Sequence, residues 1–235
     1  MDIIYDLGFH DGSDTDYYLK KGYSVVAVEA NTKLAETGLS KFSDSENFKI
    51  YNAAIFLEMN CMIKFYENTK HPDWGTCDVD KIKYWNHDDI EIHDVPTVNL
   101  QYIYEMNGTP HYIKTDIEGL DYLVLEQLLA SNLERPKYLS FELSRFDYYK
   151  TFSMLYLLGY TKFKLVNQAM NDGKIDASIN YIFGKYHSSL FGDDLFRDGY
   201  LTFDEALTQY MKYKELKSID NVNLALGWID IHASR

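Results

Sequence analysis

An apolar run that breaks into a glycine turn, followed by a second apolar run ending in an acid, leaves this chain few folds to choose from. Ile3 to Leu7 reads as a buried strand, and its last residues open the segment Asp6-Leu7-Gly8-Phe9-His10-Asp11-Gly12. A helix is predicted from Ser13 to Lys21, capped near Ser13 and stopped by Gly22. Val25 to Glu29 then reads as a strand buried on both faces, apolar at each position before the acid. Gly8 and Gly12 let the backbone turn tightly and approach a ligand where a Cβ would clash. The helix behind the turn offers unpaired N–H groups. Glu29, at the carboxyl end of its strand, can accept hydrogen bonds from both hydroxyls of a ribose. These parts describe one half of a nucleoside-binding α/β domain.

The rest of the chain continues the alternation of strand and helix that a mostly parallel, helix-covered sheet requires. Helices are predicted over 33–42, 98–105, 120–130, 146–158 and 203–217. Strands are predicted over 48–54, 62–66, 112–115 and 138–143, and over 161–166 and 179–184 around an Asn171-Asp172-Gly173 turn. Residues 68–93 are polar and aromatic without a period and read as a long surface loop or lid. Neither an internal repeat nor a composition break divides the chain. We therefore expect one domain, with a binding region over 1–184 and a helical extension of it over 185–235.

The turn also discriminates between ligands. A dinucleotide loop reads G-x-G-x-x-G, whereas this one reads D-x-G-x-x-x-G. Asp6 would repel a pyrophosphate yet suit the ammonium of an amino acid. S-adenosylmethionine carries a ribose, an ammonium, a carboxylate and a sulfonium but no phosphate, so the loop favours it over a nicotinamide cofactor. A second acidic segment, Lys114-Thr115-Asp116-Ile117-Glu118-Gly119-Leu120-Asp121, follows the strand at 112–115. Asp116 or Glu118 can serve there as a general base, a role that needs reach first and a suitable pKa second. The same acids would equally suit a helix start, where each adds about 0.3–1 kcal/mol.

These two segments resemble the FkbM-type methyltransferases, a branch of the class I S-adenosylmethionine-dependent enzymes. The resemblance is carried by Ile4-Tyr5-Asp6-Leu7-Gly8 through Gly12, Val26 through Asn31, Asn52-Ala53-Ala54 and, above all, Ile113 through Gly119 with Asp121. Thr97-Val98-Asn99-Leu100 is similar to a Thr-x-x-Leu run of the family, with Asn99 a departure from it. The likeness covers residues 3 to about 184. It implies a Rossmann-like α/β fold: a mostly parallel seven-stranded sheet with an antiparallel last strand and helices on both faces. It also implies methyl transfer to a hydroxyl, often of a sugar or natural product, with S-adenosylhomocysteine as the product. By the same likeness Asp6, Gly8 and Gly12 line the methionine part, Glu29 holds the ribose, Asn52 and Ala53 border the adenine, and Asp116 lies beside the methyl donor. His10 in the glycine loop either touches cofactor or faces solvent. His71 in the lid and His111 are secondary candidates for the base. Asp116 with Glu142 could offer hard oxygen ligands to a divalent ion. A second use of Glu142 is to pair with Arg145, so the metal is left open and not favoured.

Composition sets the outer limits. The chain has 36 Asp+Glu against 23 Lys+Arg, a formal charge of −13. That average field repels nucleic acid and anionic membranes. No stretch of about 18 apolar residues and no secretory leader is visible, and two cysteines are too few for a disulfide framework. The expected setting is the cytoplasm, and a homo-oligomer is compatible with the chain. The 21 tyrosines suit either a cleft for a polar ligand or simple partial burial. A nicotinamide-dependent oxidoreductase and a non-catalytic nucleoside-binding scaffold are the rival readings.

Overall fold

The computed structural model describes residues 1–144, 147–218 and 227–235. Seven strands form the main sheet: β1 (Ile3–Leu7), β2 (Ser24–Glu29), β3 (Phe48–Asn52), β7 (Tyr112–Thr115), β8 (Tyr138–Glu142), β9 (Lys162–Asn167) and β12 (Ile229–Ser234). Their order is β3-β2-β1-β7-β8-β12-β9. β12, the last in sequence, runs antiparallel to both β8 and β9, so the expected mostly parallel sheet with an antiparallel last strand is found. The chain divides into two compact units, 1–135 and 136–235.

In the first unit β1 pairs in parallel with β2 and β7, and β2 with β3. Ile4, Tyr5, Val25, Ala27, Tyr112 and Ile113 are almost wholly buried because strands covered on both faces have no solvent side. Helices α1 (Ser13–Lys20), α2 (Thr32–Lys41), α3 (Leu100–Asn107) and α4 (Tyr122–Ala130) connect the strands. Asn31 caps α2, its Oδ1 accepting the amides of Lys33 and Leu34 at 2.9 and 3.3 Å. Asn99 caps α3 in the same way through Tyr102. Tyr5 is fully buried, and its hydroxyl donates to the carbonyls of Ile103 (3.1 Å) and Gly108 (2.5 Å). Tyr160 and Tyr210 do the same to Pro136 and Leu143 in the second unit. These tyrosines anchor the core; they do not line a cleft.

Three expectations are corrected. The strand read over 48–54 stops at Asn52, and β4 (Ala54–Ile55) pairs instead with β6 (Ile90–Val98). β6 enters the stretch read as loop and forms an antiparallel ladder with β5 (Met62–Asn68). The remainder of that stretch contains short turns of 3-10 helix at Pro72–Trp74, Lys81–Tyr84 and His87–Asp89. In the second unit the strands flanking Asn171-Asp172-Gly173 do not pair with each other. β9 pairs with β12, while β10 (Ile175–Asp176) and β11 (Tyr181–Ile182) make their own small hairpin. The second unit also holds α5 (Tyr148–Leu157), α6 (Gly192–Phe196) and α7 (Phe203–Ser218). The expected start of α5 at Phe146 lies outside the described residues.

Candidate active site

The carboxyl ends of β2, β1 and β7 lie side by side in the first unit, and they carry Glu29, the glycine turn and Asp116. Gly8 and Gly12 adopt left-handed backbone (φ 90° and 73°), and His10 between them does so too at φ 51°. The turn is tied down from both sides. Gly8 and Phe9 donate to the Val28 carbonyl at 3.0 and 3.2 Å, and Asp116 donates to Leu7 at 2.9 Å.

Glu29 is buried, and its two oxygens accept the backbone amides of His10 and Asn31, each at 2.8 Å. Each carboxylate oxygen keeps a further lone-pair direction, so both can still accept a hydroxyl. The residues present therefore fit a ribose. Asn52 donates its amide to the carbonyls of Glu29 (3.0 Å) and Ala30 (3.3 Å), and its own carbonyl accepts Thr32. Ala53, buried beside it, donates to Glu29. Asn52 and Ala53 thus fasten β3 to the end of β2 at the place where an adenine edge was expected.

Asp6 is fully enclosed, accepting Thr15 Oγ1 at 2.6 Å and lying 3.5 Å from Lys114 Nζ. It supports the turn from beneath. Lys114 is itself buried, donates to the Gly8 carbonyl at 2.9 Å, and stands 3.8 Å from both Asp14 and Asp116. One cation therefore faces three carboxylates. Asp116 keeps part of its side chain open, 29%. Glu118 sits in a left-handed turn (φ 56°) and pairs with Lys81 at 2.5 Å. Asp121 braces that turn, its two oxygens accepting the amides of Ile117 (3.1 Å) and Gly119 (3.0 Å). His71 is exposed and stacks on Trp74, ring centroids 4.1 Å apart. His111 stacks on Tyr23. Glu142 ends β8 in the second unit, and Arg145, weighed as its partner, lies outside the described residues.

Thr15, Asp14, Thr76, Cys77 and Lys81 were not singled out from the sequence. Of these, Asp14 and Thr15 were the more legible, standing on α1 immediately behind the turn.

Burial pushes the carboxyl of Asp6 up to about 6 and those of Glu29 and Glu118 up to about 7, against the pull of Lys114 or Lys81. A carboxyl raised on folding binds its proton more readily in the folded state, so it stabilises the fold at low pH and loses that contribution as pH rises through the raised value. His232 is buried and pushed down to about 3, and it acts oppositely once pH falls below its ordinary 6.5. Stability in denaturant should therefore rise from pH 8 to about pH 6.5, and Glu29→Gln should make that slope shallower. An unchanged slope in the variant would remove Glu29 from the account.

A Rossmann-like sheet, with a glycine turn after its first strand and acids closing the two neighbouring strands, places the chain in the broad class of nucleoside-binding α/β proteins. Within that class it belongs to the FkbM methyltransferases: the Methyltransferase FkbM domain matches residues 6–178, well over half of the chain. Similar solved structures include Methyltransferase FkbM from Methylobacillus flagellatus KT, at 14% identity and TM-score 0.45, covering 71% of this chain and 40% of that one. Precorrin-6y C5,15-methyltransferase from Geobacter metallireducens GS-15 is similar at 11% identity and TM-score 0.43, covering 100% and 81%. Phosphoethanolamine N-methyltransferase 1 from Haemonchus contortus, solved with phosphoethanolamine and S-adenosylhomocysteine, is similar at 11% identity and TM-score 0.41, covering 100% and 37%. This chain spans less than half the length of the first of these. No curated protein sequence matches it.

Proposed function

We propose that this chain is an S-adenosylmethionine-dependent O-methyltransferase acting on a hydroxyl of a sugar, glycan or related small molecule. The observation that carries the reading is Glu29, held by two backbone amides beside the glycine turn with acceptor capacity to spare. The acid surplus around it, with Asp6, Asp14, Asp116 and Glu118 set against Lys114 and Lys81, suits a cationic donor and opposes a pyrophosphate. That charge balance disfavours the nicotinamide alternative.

When bound, the cofactor supplies an electrophilic methyl on a sulfonium. Glu29 would hold the ribose, the turn from Gly8 to Gly12 would border the methionine part, and Asn52 and Ala53 would border the adenine. Asp116, the less enclosed of the strand-end carboxylates, would accept the acceptor hydroxyl's proton, the methyl's bond to sulfur being exchanged for one to oxygen and S-adenosylhomocysteine leaving as the neutral thioether. Glu118, already paired with Lys81, supports the turn next to it. Lys114 provides fixed positive charge 3.8 Å from Asp116, so the reading calls on no divalent ion. His71, Trp74 and Trp85 form an exposed to half-buried aromatic group on the segment beyond β5, suited to stack on a sugar ring. No helix among the described residues is long and apolar enough to cross a membrane. We assign the chain to the cytoplasm, where the thiols of Cys61 and Cys77 would stay reduced.

Calorimetric titration with S-adenosylmethionine, S-adenosylhomocysteine and NAD⁺ tests the donor. Saturable binding of the first two alone is expected. Glu29→Ala should weaken them about 10- to 100-fold, the worth of hydrogen bonds to a charged group. Binding of NAD⁺ in their place would sink the proposal.

A further inference from the structure

The geometry points to Lys81 as a positioning residue that latches the 76–81 segment across the donor site and holds the Glu118 turn in place. This inference rests on the donor site proposed above. The segment begins at Thr76, whose amide and carbonyl pair with Tyr66 at the end of β5 at 3.0 and 2.8 Å. Thr76 Oγ1 reaches across to donate to the Glu118 carbonyl at 2.6 Å, and it also accepts the Asp78 amide at 2.9 Å. Lys81 Nζ meets Glu118 Oε2 at 2.5 Å. The lysine stem lies over Gly119, where an added Cβ would come within 2.9 Å of Lys81 Cε and 3.2 Å of the Asp78 carboxylate.

Between these fastenings runs Cys77. It packs with Ala30 beside Ala54 and Phe65, and its thiol is pushed up to about 12 by burial and then by the charge of Glu29. The short stretch from Thr76 to Lys81 therefore touches both sides: Cys77 packs on the same cluster as Ala30, next to Glu29, while Thr76 and Lys81 on either side of it hold Glu118. From Asp78 the chain turns, the Lys81 amide donating to the Asp78 carbonyl at 3.2 Å, and this turn brings the lysine stem over Gly119. Fastened, this segment walls the site. Released, it frees Glu118, whose left-handed backbone is one that non-glycine residues seldom adopt without support.

The test uses full-length protein carrying Cys61→Ser, which leaves Cys77 as the single thiol. The rate of Cys77 modification by a small uncharged maleimide is compared in this parent, in Lys81→Met and in Lys81→Arg. Lys81→Met should react about tenfold faster, as loss of a charge-assisted hydrogen bond shifts an opening equilibrium by that order. Lys81→Arg, which can still pair with Glu118, should return close to the parent rate. S-adenosylhomocysteine should also dissociate faster from Lys81→Met than from the parent. An unchanged modification rate in Lys81→Met, or equal acceleration in both variants, overturns the latch. If the parent binds no S-adenosylhomocysteine, the donor reading fails, while the thiol rates still decide the role of Lys81.

Discussion

Gly8→Ala is expected to lower stability by about 3 kcal/mol or more and to abolish binding of the methyl donor. A Cβ built on Gly8 overlaps the Asp116 carbonyl oxygen and stands 2.7 Å from its carbon. Those atoms are backbone, held where Asp116 donates to Leu7 at 2.9 Å. Relief requires the ends of β1 and β7 to part, which adds to a left-handed strain of roughly 1–3 kcal/mol. For a chain of this size the loss corresponds to a fall in Tm of roughly 6–12 °C. Gly22→Ala is the natural control. Gly22 has a similar φ of 87° but no atom within 4 Å of an added Cβ, so only the strain remains. Equal melting of the two variants would show that close approach at Gly8 is unimportant.

Lys114→Met should cost about 3–5 kcal/mol at neutral pH, because removing one member of a buried charge group strands the others. The stranded groups are Asp6 at 3.5 Å and Asp14 and Asp116 at 3.8 Å, with the Gly8 carbonyl losing its donor at 2.9 Å. The deficit should shrink at acid pH. Asp6 is already raised to about 6 by burial, with Lys114 holding it down, so without the lysine it protonates more readily and the repulsion falls. Urea denaturation at pH 7.5 and pH 5.5 reads this directly, since His232 is common to both proteins and cancels. A loss of equal size at both pH values would assign the effect to packing and the lost hydrogen bond.

The parts of the site legible in the sequence were those written locally. Strand, glycine turn, helix and terminal acid occupy residues 3–29 without a break, and each local preference agrees with the fold. Asp116, Glu118 and Gly119 were legible for the same reason. What the residues alone hid was the purpose of each acid. Asp6 looked available to a ligand but is sealed behind Thr15 and Lys114, because the inward face of a central strand has no solvent to meet. The pairing of Lys81 with Glu118 spans 37 residues and starts in a stretch without period, so nothing local announces it. β6 was the more accessible miss: Ile90 and Ile92 alternate with Glu91 and His93, a short period-two pattern inside a stretch read as having no period. The hairpin around Gly173 was misread because the true partner of β9 comes from residues 229–234.

That distant partner has a consequence for how the chain is made. β12 pairs along its full length with β8 on one side and β9 on the other. A growing chain therefore presents both of those strands to the cell before the segment that joins them has been translated. Until residue 234 emerges, each carries an exposed row of unpaired amides and carbonyls, the kind of edge that recruits neighbouring chains. The first unit needs nothing beyond residue 135 to pair β3, β2, β1 and β7. Vectorial synthesis thus favours a nascent chain with the first unit already ordered while the second waits for β12.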